Sequence, residues 1–484
     1  MTAEKTSPKE RGRPRVVIVG GGLTGLTAAY ALQMRAAETG ETIPFTVLES
    51  GSRWGGNLVT EEVDGFLVEG GADSFIARKP WAMELARELG LEGEIIRTPA
   101  AHGRVYVLRR GRLVPLPTGM RFVVPTQIRP LLASPLLSWP GKLRMALERW
   151  VPKKRVDVSG GSDESLASFI RRRFGREALE VIGEPLMAGI HAADPEHLSL
   201  EAAFPDVAVL EQRFGSLIRG MKAVHSSLPR RGQTENSSRV TLRGGVQQLV
   251  TGLVERIDPA SLRLRSSVRN LRRQGAGIEI ELEAGERLHA EAVILATSAF
   301  VAAKLVGELD GALGEGLGAI PYISSATVSL GFREEHVGRA MDALGFVIPG
   351  SEPSRLQACT WSSAKFDGRA PAGHVLMRAF VGGARNEELV EWSDDDLKSL
   401  VLAELGPLMR LSGDPVLVRI HRWRKGIPQY HLGHSERLAR IEAHDVNGLF
   451  LAGNAYRGVG LPDCIHSGRQ AADEVVDFLG RRVE

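Results

Sequence analysis

The chain is poor in cysteine: Cys359 and Cys464 are the only two among 484 residues. They make no metal-ligand spacing and no disulfide framework, so each reads as a small packed residue in a reducing compartment, and no metal is expected. No run of 18 uninterrupted apolar residues occurs, which excludes a helix built to span a bilayer. The most apolar stretch, 131–139, is short and broken by Pro135 and Pro140. An excess of one charge is also missing. Lys and Arg number 61 against 58 Asp and Glu, a net charge of +3, which argues against a dedicated nucleic-acid binder. The first fifteen residues lack an apolar core, and Glu4 and Glu10 count against a transit peptide. Residues 1–13 therefore read as a disordered basic tail, and the expected location is cytoplasmic. Internal repeats are absent. Hydrophobic (43%) and charged (25%) fractions are those of ordinary globular proteins, and the length calls for two or three domains.

The most informative feature present is Gly20-Gly21-Gly22-Leu23-Thr24-Gly25. It follows the apolar run Val16–Val19 and opens a helical pattern from Leu26 to Arg35, the order strand, tight turn, helix. Such a turn lets backbone N–H groups approach a pyrophosphate at the positive end of a helix. A carboxylate should close the unit on a ribose, and Glu49 ends the second apolar run, Phe45–Leu48. These residues point to a bound dinucleotide; a plain βαβ crossover without ligand is the alternative.

Farther along, 63–68 alternates like a hairpin strand, and 106–114 reads as a hairpin around Arg109-Arg110-Gly111. Helical periodicity dominates 115–230, as in 166–174 and 178–187, which marks an inserted helical domain followed by a polar linker, 230–238. Gly244-Gly245 opens another helix. Strands are expected at 292–297, 326–332, 346–349, 375–381 and 449–452. Helices are expected at 394–405, capped by Ser393, and at 468–479. Nucleotide-type elements thus occur at both ends and in the middle, so the ligand domain is discontinuous. The basic run Lys142, Arg144, Arg149, Lys153, Lys154, Arg155, followed by Arg171-Arg172-Arg173, is either a solvated helix face or a contact for anionic lipid or a partner.

Taken together, the motifs resemble the FAD-dependent amine oxidase superfamily along nearly the whole chain. Arg53-Trp54-Gly55-Gly56 after Glu49 matches its second nucleotide signature and turns the expected cofactor from NAD to FAD. Within that superfamily the chain resembles the porphyrinogen oxidases of haem synthesis. The likeness rests on Gly70-Gly71-Ala72-Asp73-Ser74-Phe75, Gly189 to Asp194, Gly426-Ile427-Pro428-Gln429-Tyr430-His431-Leu432-Gly433-His434, and Gly453 to Cys464. The stretch 117–125, Cys359-Thr360-Trp361 and the His431/His434 pair look closer to the bacterial coproporphyrinogen III branch. Ala72 and His191 depart from residues frequent in that family.

The resemblance implies an α/β fold class: a discontinuous Rossmann-type FAD-binding domain (14–100, 236–310 and 415–484), an α+β sheet domain for substrate (101–115 and 311–414), and an inserted helical domain (116–230). It implies cofactor contacts from Gly20, Gly21, Gly22, Leu23, Thr24, Gly25, Glu49, Ser50, Arg53, Gly56, Gly70, Gly71, Ala72 and Asp73. Val268 is expected at the adenine, Trp423 beside the flavin, and the backbone of Val459, Gly460 and Leu461 facing the ring's pyrimidine. For the substrate, Arg78 and Lys79 are expected at its carboxylates or as a solvated helix start. Ile190, Leu356 and Met377 are expected as apolar walls, and His431 as a neutral polar neighbour or a plain loop histidine. No side chain is assigned as catalytic, because the flavin carries the chemistry.

The expected reaction is oxidation of coproporphyrinogen III to coproporphyrin III, with oxygen as acceptor and hydrogen peroxide as product. Transient contact with the next haem-pathway enzyme and peripheral membrane contact are further expectations. Three alternatives stand beside it: protoporphyrinogen IX as substrate, another FAD amine oxidase or desaturase, and a non-catalytic flavin-binding scaffold. Amine oxidases place an aromatic pair at the flavin, whereas this chain has five tyrosines and no second one near Tyr456.

Overall fold

A computed structural model describes residues 15–40, 42–154, 163–227 and 239–482. The tail 1–13, the linker 230–238 and Arg155 lie outside the described residues.

Apolar strands bring distant parts of the chain into one five-stranded parallel sheet. Its order is Leu262–Arg263, Phe45–Leu48, Val16–Val19, Ala292–Leu295, Leu449–Leu451. Val16–Val19 is central, with all four residues buried, as the continuous β-branched run requires of a strand covered on both faces. Val16 lies opposite both Phe45 and Ala292, so the strand ends are level where the glycine turn begins. The helices Leu23–Thr39 and Leu461–Gly480 pack together on one face. Their approach needs Gly468, because a Cβ there would collide with Thr24 O.

A second sheet has seven strands, in the order Leu417–Pro428, Tyr322–Arg333, His374–Gly382, Ala358–Trp361, Gly345–Val347, Tyr106–Arg109, Arg112–Pro115. Its pairs are antiparallel except Gly345–Val347 with Tyr106–Arg109, which is parallel. Side chains alternate between faces. On one face Val328, Leu330, Met377 and Ala379 are buried in a cluster with Leu397, Val401 and Leu405 of the helix Asp394–Met409. On the other, Thr327, Arg378, Phe380, His421 and Trp423 turn toward the Gly70 loop.

Helices between Ile128 and Ser227 form a third packed region around Leu166, Phe169, Ile170, Ile182 and Met187, which also meets Val347 and Ala358 of the second sheet. At its centre the fully buried Arg173 pairs with Glu148 and Glu211. Glu148 also accepts from Ser216 Oγ (2.7 Å) and Leu217 N (2.9 Å), so its buried carboxylate is paired on both oxygens.

Candidate active site

The glycine turn is held by steric necessity at three points. Gly20 has φ +108°, and a Cβ there would lie 2.7 Å from Ala296 O. A Cβ at Gly21 would strike the Trp54 indole, and one at Gly25 would strike Gly20 O. Gly22 is different: its Cβ direction is open. Gly22 is also the N-cap of the helix Leu23–Thr39, with no side-chain cap and no acidic residue in the first turn. An uncapped helix N-terminus beneath open space fits an anion such as a pyrophosphate. Leu23 and Thr24 are buried beneath the turn.

Glu49 emerges from the end of the second strand beside it. Its Oε2 accepts from Gly21 N at 2.8 Å and its Oε1 from Gly51 N at 2.7 Å, with Ser50 Oγ at 3.3 Å. The Arg53–Gly56 loop locks onto the same turn. Gly55 N donates to Gly21 O at 2.8 Å, and Gly56 (φ +56°) packs against Gly22. The Arg53 guanidinium donates to Leu58 O at 2.9 Å and Gly56 O at 2.5 Å, so it braces its own loop. The segment leading to Val268 passes Glu49, with Glu49 N on Arg263 O and Ser266 N on Glu49 O. Val268 is half-buried at a bulge.

The Gly70–Asp73 loop is clamped from the second sheet. Trp423 Nε1 (2.9 Å) and Thr327 Oγ1 (3.0 Å) both donate to Gly70 O. Arg378 Nη1 donates to Glu69 O (2.9 Å) and Gly71 O (2.8 Å), and its Nη2 lies 3.0 Å from Asp73. Lys365 Nζ donates to both Asp73 oxygens, at 2.7 and 2.8 Å. Burial pushes the Asp73 carboxyl up, but the Lys365 ammonium and the Arg378 guanidinium outweigh it and hold the group well below the usual range. Burial lowers Lys365 to about 8 despite Asp73. Ala72 in the same loop is exposed.

The two longest motifs interlock. Tyr430 Oη donates to Asn454 O at 2.6 Å and accepts from Gly458 N at 2.7 Å. His434, fully buried, stacks on Tyr430 with ring centroids 4.2 Å apart and places Nε2 3.0 Å from Tyr456 O. Burial lowers the pKa of both His431 and His434, which keeps them neutral. His434 is thus a packing residue. His431 meets the neighbouring helical region at Leu198 and His197. Gly460 caps the helix Leu461–Gly480 and its N–H donates to Asp463 Oδ2 at 3.2 Å, while Val459 packs toward the helical cluster.

Of the expected substrate residues, Arg78 lies 3.6 Å from Asp206, and Lys79 Nζ donates to Asp463 at 2.5 and 2.7 Å. Ile190 belongs to the helix Glu184–His191. Leu356 and Met377 need correction as cavity walls: both are fully buried in the cluster under the helix Asp394–Met409, away from Trp423. Strand alternation is the reason, since the neighbours Arg378 and Phe380 point the other way. Lys365, Arg378 and Tyr430 are site residues that sequence reasoning missed. Tyr430 sat within a recognised motif, whereas Lys365 and Arg378 carry no local signal. Burial pushes Cys359 up to about 12 and Cys464 to about 11, so both thiols stay protonated near neutral pH.

The Flavin containing amine oxidoreductase model matches residues 23–476. The chain belongs to this family. It is therefore an oxidoreductase with a flavin cofactor. It is 35% identical to the Coproporphyrinogen III oxidase of Bacillus subtilis (strain 168), over 97% of this chain and 99% of that one. It is 36% identical to the Coproporphyrinogen III oxidase of Propionibacterium freudenreichii subsp. freudenreichii, over 96% and 90%. A crystal structure from Exiguobacterium sp. 255-15, of a protein provisionally named a protoporphyrinogen oxidase, superposes with a TM-score of 0.83 at 30% identity, covering 96% of this chain and 99% of that one.

Proposed function

We propose that this chain oxidises coproporphyrinogen III to coproporphyrin III with FAD, in the cytoplasm, passing six electrons to oxygen. The carrying observation is the near full-length similarity to two proteins named for that reaction. The reading divides the chain as its sequence does, into a discontinuous flavin domain (14–100, 236–310, 415–484), a sheet domain (101–115, 311–414) and a helical domain (116–230).

In this reading Gly20–Gly25 hold the pyrophosphate, Glu49 and Ser50 the adenosine ribose, and the Val268 backbone the adenine. Arg53 and Gly56 brace the phosphate path. Gly70–Asp73, Trp423 and Val459–Leu461 flank the ring. When bound, the flavin supplies the hydride acceptor and the route to oxygen. The residues orient the macrocycle and keep the pocket's polar groups fixed. Trp423, Thr327 and Arg378 spend their donors on the Gly70–Asp73 backbone, which makes that loop rigid. His431, its pKa lowered by burial, adds no charge beside the substrate. A pyrrole proton can leave to solvent, because the charge spreads over the macrocycle, so no strong base is required.

The test uses the purified yellow protein with coproporphyrinogen III in air. Red porphyrin emission and three equivalents of peroxide per porphyrin are expected; a flavin-loaded protein that makes neither with any porphyrinogen overturns the reading in favour of a scaffold. The name of the Exiguobacterium relative favours protoporphyrinogen IX as a second reading. A higher kcat/KM for that substrate would establish it.

A further inference from the structure

The sheet side of the Gly70–Asp73 loop hides more charge than a backbone clamp requires. Asp73 sits between two cations: Lys365 Nζ lies 2.7 and 2.8 Å from its oxygens, and Arg378 Nη2 lies 3.0 Å away. Both cations are out of water, Lys365 at 7% and Arg378 at 4% exposure. One carboxylate between two cations leaves one positive charge uncompensated. Arg369, also buried, is held by the carbonyls of Arg243 and Leu242, both at 2.8 Å, and adds a further cation whose charge Glu69 and Asp73 both feel. The other buried acid in reach, Glu69, is pushed up to about 7 by burial, so at lower pH it does not cancel the excess.

Taking charge out of water is costly, and the shape of the loop does not need it. Trp423 Nε1 and Thr327 Oγ1 hold Gly70 O, and Arg378 Nη1 holds Glu69 O and Gly71 O. Lys365 touches none of that backbone. It ends the short helix Ser362–Lys365, and its ammonium bonds side chains alone: the Asp73 carboxylate and Ser74 Oγ, the latter at 3.0 Å. Arg378 by itself already balances the charge of Asp73. What Lys365 contributes is therefore charge rather than form.

We propose that Lys365 is a positioning residue that, through Asp73, keeps a buried positive charge beside the flavin ring and so favours the ring's reduced form. The inference rests on the reading that Gly70–Asp73 flank the ring. Hydride transfer brings two electrons and one proton to the flavin, so reduction adds one negative charge. A fixed cation in a site shut from water stabilises that charge and makes the oxidised ring a better acceptor. The coupling is reciprocal: reduction strengthens the hold of Lys365 on its proton. The groups facing the ammonium are Asp73 and Ser74 of the loop, Arg378 of the strand His374–Gly382 and Arg239 of the strand Arg239–Leu242. Burial brings Lys365 down to about 8, with Asp73 opposing the fall and Arg239 and Arg378 adding to it. The extra charge is thus present at neutral pH and is lost as pH rises past about 8.

The experiment titrates the flavin-loaded full chain with reductant under nitrogen beside a reference dye, reading the visible spectrum at pH 6.5 and pH 9.5. Wild type, Lys365→Met and Lys365→Arg are compared. At pH 6.5 Lys365→Met should shift the equilibrium at least tenfold toward oxidised flavin, about 30 mV for a two-electron couple, while Lys365→Arg stays near wild type. At pH 9.5 wild type should fall to the level of Lys365→Met, and Lys365→Arg, which keeps its charge, should stand at least tenfold above both. Equal potentials for all three overturn the proposal. So do equal shifts in the Met and Arg variants, which would make the effect one of loop shape, and so does a gap between wild type and Lys365→Met that persists at pH 9.5. Should Lys365→Met fail to hold flavin, wild type against Lys365→Arg at pH 9.5 carries the test, and equal potentials there overturn the proposal. A wild type that holds flavin and makes porphyrin while these potentials coincide sinks this inference alone; a wild type that makes no porphyrin sinks the reading beneath it.

Discussion

Gly25 shows how little room single residues have here. A methyl at that position meets Gly20 O inside contact distance, so Gly25→Ala must move the turn itself. The substitution should cost about 1–3 kcal/mol and lower retained flavin at least tenfold, measured as the visible-to-ultraviolet absorbance ratio after dialysis. Glu69 is a second sensitive point. It accepts from Thr60 Oγ1 at 2.7 Å and Val246 N at 2.9 Å, yet burial drives its pKa from 4.5 up to about 7. The folded chain therefore keeps a proton that the unfolded chain has released across pH 4.5 to about 7. Stability must fall as pH rises through that window, by on the order of 3 kcal/mol. Denaturant midpoints at pH 5 and pH 7.5 should differ accordingly, and Glu69→Gln should flatten the difference; an unchanged slope in the variant assigns it to other groups.

Between elements, the decisive joints are loop to loop. Tyr430 Oη serves Asn454 O and Gly458 N at once while only 4% exposed. Tyr430→Phe strands both backbone groups, at about 1–3 kcal/mol, and should speed flavin release in stopped dilution. Local elements were largely legible in the sequence. The expected hairpin at 106–114 is Tyr106–Arg109/Arg112–Pro115, which turns through Arg110-Gly111, both with positive φ. The single strand expected over 63–68 instead contains a turn, Asp64-Gly65, of the hairpin Thr60–Val63/Phe66–Glu69. Three further elements were misjudged. The last helix begins at Leu461 rather than 468, because Pro462 occupies its first turn, where a missing N–H costs nothing. The helix Asp394–Met409 runs past the expected end at 405 and through Pro407. The expected single helix 178–187 instead passes through a wider turn at Leu179–Gly183.

For the whole molecule, legibility stops where contacts become distant in sequence. Asp73 and Lys365 are 292 residues apart, and Trp423 reaches Gly70 across 353. No spacing rule reports such pairs, although the glycine turn and its carboxylate, which lie within one βαβ unit, were read directly. The same separation gives the cofactor a stabilising role. On the proposed reading, a flavin held by Gly20–Gly25, Glu49, Val268 and Val459–Leu461 would cross-link segments from opposite ends of the sequence. Stripping it should lower stability by about 4 kcal/mol at a thousandfold excess over its dissociation constant, and thermal melts with and without added FAD check this. The order of the parallel sheet has one more consequence. Its central strand, Val16–Val19, leaves the ribosome more than four hundred residues before the edge strand Leu449–Leu451. At about 5–20 residues per second the nascent chain waits on the order of a minute before the sheet can be completed. The half-made sheet is then the stage of the protein's life at which a chaperone has most to shield.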